Sequence, residues 1–311
     1  MIRIRLHPRQ RPQALEPRAY WIAGRSVITD IPLRELRPFQ VWRPIPEFGM
    51  PSGILFDRPG REQHDLTVDG WVGGKLQQVS CRRNPDGYLL VIAELGRFHI
   101  DASGSEIVVL HNGAENEPPS PEVLEVVFGL AIALALALQE VWCFQSSMVQ
   151  CTGVAVAFLG GTGVGKSTLA RELHKEGWAE RFIVDDVLPV DIRDGQFDCL
   201  PHFPQLDLST DEQFGQGNRD RIPMGKFCVL DVRKAKDNSR ATVRPLPAQQ
   251  AIEALVTHTV GAELFGPALV DRHRIFCSRV VEQTEVLNIQ YPLRSESIGR
   301  VGEMIQYFVA N

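Results

Sequence analysis

The sequence predicts an α/β domain preceded by a smaller β-rich domain, and three observations lead there. Residues Tyr20 to Leu110 alternate short β-rich runs with turn signals. From Val123 the texture changes to helical periodicity and fully apolar strand runs, the pattern of a sheet covered on both faces. Between them lies a polar, proline-rich stretch, Glu115-Asn116-Glu117-Pro118-Pro119-Ser120-Pro121-Glu122. At 311 residues the chain is longer than the roughly 100–200 of a single domain. The expected division is therefore an N-terminal domain over 1–114, a linker over 115–122 and a larger domain over 123–311.

In the first domain the turns Asn84-Pro85-Asp86-Gly87 and Ala102-Ser103-Gly104-Ser105 bound expected antiparallel strands at Tyr88–Glu94, Arg97–Ile100 and Glu106–Leu110. The apolar run from Val126 to Leu138 reads as a buried helix, short of the ~20 residues that cross a bilayer. Val154 to Leu159 is continuously apolar and should be a central strand. From Ser167 to Glu176, helical spacing puts Leu169, Ala170 and Leu173 on one face, and Gly177 stands where a C-cap glycine would stop the helix. Phe182-Ile183-Val184 forms a second short strand ending in Asp185-Asp186.

Composition excludes several classes of function. Hydrophobic residues make up 44% and charged residues 23%, ordinary globular proportions. A net charge of −5 offers no global attraction to phosphate polymers, so nucleic acid is not an expected partner. The six cysteines show no CxxC pair or zinc-finger spacing and read as free thiols in a reducing cytoplasm. The basic start, Met1-Ile-Arg-Ile-Arg, is not followed by the apolar run and cleavage site of a signal peptide. A cytoplasmic protein with no membrane partner is the expectation.

The chemistry begins at Gly160-Gly161-Thr162-Gly163-Val164-Gly165-Lys166-Ser167, a full GxxxxGK[ST] phosphate loop, or P-loop, followed by Thr168. Glycines are needed because successive backbone N–H groups must turn inward around phosphates. The helix that follows adds its N-terminal partial positive charge. Lys166 is expected at the β and γ phosphates and the Ser167 hydroxyl on Mg²⁺. Asp185 and Asp186 form the second constellation. Adjacent residues of a strand point to opposite sides, so the two should divide two tasks, one at Mg²⁺ and one at an acceptor hydroxyl.

With these motifs the chain resembles the diverged branch of the HPr serine kinase/phosphorylase superfamily. The likeness rests on Phe158 to Ala170, Val184-Asp185-Asp186-Val187, Leu200-Pro201-His202-Phe203-Pro204-Gln205-Leu206, Ala254-Leu255-Val256-Thr257-His258-Thr259 and, near the start, Gly24 to Leu36. The resemblance implies a P-loop kinase core of the HPr kinase/PEP carboxykinase type, ATP and Mg²⁺ as nucleotide and metal, and an oligomer. It also implies that Asp185 acts at the acceptor and Asp186 at Mg²⁺, an assignment that reversal would equally satisfy. Related members carry a histidine shortly before the loop strand, where this chain has Gln145. The branch includes kinases that phosphorylate a serine of a ribosomally made peptide, lasso-peptide precursors among them.

Several other polar residues admit both a functional and a plainer structural role. Arg219, Arg221 and Lys226 follow the glycine-containing stretch Gln213 to Asn218 and are candidates for a cationic lid. His202, His258 and His273 read first as hydrogen-bonded structural histidines. Ser146 and Ser147 read as turn or helix-end residues. The function expected is transfer of the γ-phosphoryl of ATP to a serine of a peptide or protein. A nucleotide-dependent switch with slow hydrolysis and a small-molecule kinase are the alternatives. The absence of an Asn/Thr-Lys-x-Asp segment speaks against a GTPase.

Overall fold

The fold is described from a computed structural model, over residues 1–10, 17–31, 36–41, 64–72, 75–114, 117–204, 221–231, 240–292 and 295–310. The chain forms two units, Met1–Val141 with Glu263–Gly266, and Trp142–Ala262 with Pro267–Asn311.

The first unit is built on eight strands: β1 (Ile2–Leu6), β2 (Arg18–Ile22), β3 (Arg25–Thr29), β4 (His64–Val72), β5 (Lys75–Asn84), β6 (Gly87–Ile92), β7 (Gly96–Asp101) and β8 (Glu106–His111). They form one sheet in the order β2-β3-β1-β8-β7-β6-β5-β4. From β8 to β4 the sheet is an antiparallel meander, whereas β1 runs parallel to both β3 and β8. The expected hairpin at Asn84 forms, with Asp86 N–H donating to Asn84 Oδ1 at 3.0 Å. Buried Ile4, Leu90, Phe98, Ile100 and Ile107 supply the apolar interior.

The apolar run is longer as a helix than the sequence pattern suggested. Ser120 caps it by accepting from Val123 N–H, with Pro121 at the first position, where a missing N–H costs nothing. Helix α1 (Pro121–Val126) passes through a π turn at Val127–Ala131 into α2 (Ile132–Leu138). Those 18 residues, of mean hydropathy 2.1, are long and apolar enough to cross a membrane by composition, yet Val126 to Ala137 is largely buried and α2 packs on β7 and β8. This corrects the expected boundary at 115–122: the helix belongs to the first unit, because its apolar face covers that unit's sheet, and the division falls at Val141.

The second unit contains β9 (Trp142–Cys151), β10 (Val154–Leu159), α3 (Lys166–Lys175), β11 (Arg181–Val184), β12 (Val187–Arg193), β13 (Gln196–Cys199), β14 (Ile222–Leu230), β15 (Thr242–Pro245), α4 (Ala248–Thr257), α5 (Pro267–Gln283), β16 (Val286–Gln290) and α6 (Ser295–Ala310). Its sheet runs β10-β9-β12-β13-β14-β16-β15, with β11 also on β9 and β14 also on β10. Strand β10 pairs parallel with β14 and antiparallel with β9, and is fully buried from Ala155 to Leu159. Its continuously apolar sequence is what burial on both faces requires. One core layer lies beneath α3 and α6 and joins Val156, Phe158, Leu169, Leu173, Leu287 and Ile305. On the other face Trp142, Phe144, Phe227 and Phe276 form an aromatic cluster.

His273 lies within that aromatic layer, 2% exposed, with its ring 4.6 Å from that of Trp142. The Thr259 hydroxyl donates to Leu255 O, so it accepts from His273 Nε2 at 2.9 Å. This is the structural role expected for that histidine. Burial holds its imidazole down at about 4, against an ordinary 6.5. The unfolded chain therefore takes up the proton first, and stability is lost as pH falls from 6.5 towards 4. Between pH 7 and 4.5 this one group should remove about 2 kcal/mol. Urea unfolding at the two pH values should show the wild type losing that much more than His273→Gln; equal losses would refute the assignment.

Candidate functional site

The site grows from a change of partners along β9. Its second half, Ser146 to Cys151, pairs with β10, Leu159 lying opposite Ser146 and Phe158 opposite Ser147. On its other edge β11 covers Met148 to Gln150, while β12 covers Trp142 to Gln145. Asp185 and Asp186 sit at the bend between β11 and β12, and Ser146 N–H donates to Asp186 O at 2.9 Å. The acidic pair thus lies one strand away from the end of β10, where the phosphate loop begins. Adjacent strands are ~4.8 Å apart, so the pair is ~10 Å from that strand end measured across the sheet.

The loop has the backbone its glycines predict. Gly163 and Gly165 adopt φ of +77° and +93°, conformations that L side chains resist. Gly165 is the N-cap of α3, which starts at Lys166 as the phosphate-loop reading requires. Beside Gly161 and Gly163 a Cβ would meet no atom within 4 Å, and both residues are exposed. Lys166 is buried, and its Nζ donates to Gly160 O at 2.8 Å and Gly161 O at 3.1 Å. Burial pushes its ammonium below the usual lysine range, and the Asp186 and Asp185 carboxylates oppose that. Both acids are therefore within electrostatic reach of the lysine, although they are separated from it by many residues of chain.

Ser147 connects the two constellations. Its hydroxyl donates to Asp185 Oδ1 at 3.0 Å and lies 3.4 Å from Ser167 Oγ. Arg171, one turn into α3, donates from Nη2 to Asp185 Oδ2 at 2.8 Å and stands over the Phe182 ring at 5.4 Å. Asp185 is thereby oriented by two donors beside Ser167. Hydroxyl and carboxylate oxygens are the donor set that Mg²⁺ prefers, so the group expected of a P-loop fits Ser167 and Asp185. Sequence reading missed Ser147 and Arg171. The signal for Ser147 was a pair of hydroxyl residues, Ser146-Ser147, inside a strand where both prove fully buried. Ser146 and Ser147 belong to β9, not to a turn or helix end.

The expected cationic lid fares differently. Arg221 is held by Asp191 and Asp198, and Lys226 Nζ binds Glu285 at 3.0 Å. Lys226 faces Val156 in the middle of β10, away from the loop end. These cations join strands to their neighbours, because a charge on a half-buried sheet needs a nearby counter-charge. Arg219, and the stretch 213–218 before it, lie outside the described residues, as do Pro32 to Glu35, Gln205 and Leu206. His202 is buried, beyond the acidic pair along the chain.

A buried parallel strand, a glycine loop with left-handed turns, a lysine folded over it and a helix starting beneath it define a P-loop nucleotide-binding protein. No protein-family model matches the sequence. The chain is 29% identical over 194 residues to GTPase Der of Thioalkalivibrio sulfidiphilus, covering 61% of this chain and 40% of that protein. It therefore spans about two fifths of that relative's length. Among solved structures, the HPr(Ser) kinase/phosphatase from Coxiella burnetii is similar with a TM-score of 0.30 and 12% identity, over 54% of this chain and 94% of that one. At that score the likeness adds nothing to what the loop geometry establishes.

The loop conformation itself is testable. Gly165→Ala forces a Cβ into φ of +93° and should cost about 1–2 kcal/mol in thermal or urea unfolding. Thr162→Ala, at an exposed position of the same loop, should change stability by less than about 0.5 kcal/mol.

Proposed function

We propose that this chain is an ATP-dependent kinase that transfers the γ-phosphoryl group to a serine hydroxyl of a peptide or protein. The observation that carries this reading is the pair of carboxylates held across β9 from the loop, both acting on Lys166. Binding and slow hydrolysis of a nucleotide require one acidic metal partner; a second carboxylate at the same bend suits an acceptor hydroxyl.

In this reading the backbone N–H groups of Gly161 to Thr168 cradle the phosphates. Lys166 leaves the carbonyls of Gly160 and Gly161 to meet the β and γ oxygens. Ser167 and Asp185 would hold Mg²⁺, which would supply positive charge against the charge developing on the phosphates. The contacts favour the reverse of the expected division of labour. Asp185, tied to Ser147 and Arg171 beside Ser167, serves the metal side. Asp186, whose carboxylate acts more strongly than Asp185 on Lys166, serves the acceptor. The acceptor oxygen attacks the γ-phosphorus, its proton passes to Asp186, and the bond to the β,γ-bridging oxygen breaks to release ADP.

The similarity to a GTPase over part of the chain favours a second reading, a nucleotide-dependent switch with slow hydrolysis. Cytoplasmic location, a ribosomal peptide as acceptor and assembly into a homo-oligomer belong to the kinase proposal. So does the choice of ATP over GTP.

Two measurements separate the readings. Lys166→Ala should abolish transfer from ATP to candidate serine peptides, followed by mass spectrometry, while circular dichroism stays native; near-normal turnover would remove the loop from the chemistry. In single-turnover assays Asp186→Asn should lower the transfer rate by roughly 10²–10⁴-fold with nucleotide affinity kept. Asp185→Asn should instead weaken Mg²⁺-dependent nucleotide binding, with partial recovery at raised Mg²⁺. A switch would show nucleotide hydrolysis and no phosphopeptide in either series.

A further inference from the structure

Strand β10 stops at Leu159, opposite Ser146, and turns into the phosphate loop. Beyond that point the edge of β9 is taken over by the segment after α4. Gln145 N–H donates to His258 O at 2.8 Å, Val260 N–H donates to Cys143 O at 2.8 Å, and Phe144 bridges to Thr259. His258 therefore lies opposite Gln145, the place that the next residue of β10 would hold if the strand continued.

The surroundings of Thr259 and of Lys166 locate its side chain. Thr259 points towards the aromatic layer, where its hydroxyl meets His273 Nε2 at 2.9 Å. His258 itself, at φ −99° and ψ 12°, closes α4, and its imidazole feels the Lys166 ammonium, which places it on the side of the phosphate loop. That side carries Ser147, opposite Phe158, and α3. The segment is pinned by backbone bonds on both sides of Thr259, so this imidazole is presented by a rigid element while remaining only half-buried.

A plain explanation would be that His258 caps the C-terminus of α4, where the helix dipole favours an imidazolium. The electrostatics run the other way: burial and then the Lys166 ammonium hold this histidine below its ordinary value. A neutral imidazole beside the lysine head has an N–H to give to an anion arriving there.

We infer that His258 is a phosphate-binding residue of this site, its imidazole N–H donating to the terminal phosphoryl group of the bound nucleotide. This rests on the nucleotide-site reading above. The terminal group is singled out because the Lys166 head, whose charge His258 feels, is the group that reaches furthest along the phosphates.

The test uses the full chain and two ligands, Mg·AMP-PNP, a non-hydrolysable triphosphate, and Mg·ADP. His258→Ala should weaken AMP-PNP about tenfold, the size of one hydrogen bond to a charged group, and change ADP less than about twofold. His258→Gln, which keeps an N–H donor, should recover part of the loss. In the unaltered chain the imidazole resonance of His258, assigned by its disappearance in His258→Gln, should move with AMP-PNP and stay with ADP. Equal losses for both ligands, no loss, or a resonance indifferent to AMP-PNP would overturn the inference and leave the nucleotide site standing. Failure of the unaltered chain to bind either nucleotide would overturn both.

Discussion

Buried backbone amides must be paired, and in Trp142–Cys151 the partner changes at Ser146. One edge passes from β10 to the segment His258–Val260, and the other from β11 to β12. Each change of partner leaves a chain end or a bend beside the same two serines. The phosphate loop leaves from one, the acidic pair occupies another, and His258 enters at a third. Three stretches of sequence, 154–159, 181–193 and 258–260, converge because each satisfies a different part of one strand's hydrogen-bonding edges.

The two faces of that strand divide the labour. Trp142 and Phe144 anchor it in the aromatic layer with Phe227, Phe276 and His273. Gln145 and Ser147 share the opposite face, towards α3. The apolar side holds the strand still, and the polar side needs that rigidity: a hydroxyl that must reach both Asp185 and Ser167 tolerates little movement. His273 extends the same logic, since its contact with Thr259 steadies the residue next to His258.

Charge placement separates structural cations from functional ones. Arg221 and Lys226 neutralise carboxylates on neighbouring strands, and the sheet gains cohesion from them. Lys166 is different: it is buried against carbonyl oxygens, with carboxylates near but no ion pair closer than those carbonyls. A buried ammonium satisfied by neutral acceptors can exchange them for phosphate oxygens at small cost. Arg171 lies between these cases, exposed itself yet clamping Asp185.

Local structure near the loop was legible in the amino-acid sequence because its determinants are local. The apolar run Val154–Leu159, the glycine spacing and Gly177 each act within a few residues, and strand, loop and helix stand where those residues predict. The acidic pair was legible as a pair, but its assignment was not, since Asp185 and Asp186 differ only in what crosses from β9 and α3 to meet them. The helix at 121–138 was recognised and yet allotted to the wrong unit, because an apolar face records that it is covered and not by which sheet. Ser147 and His258 read as structural residues, and Arg171 was not singled out, for a related reason. A serine in a strand, an arginine on a helix and a histidine at a helix end are unremarkable locally, and only the pairing of β9 with four separate segments brings them to one place.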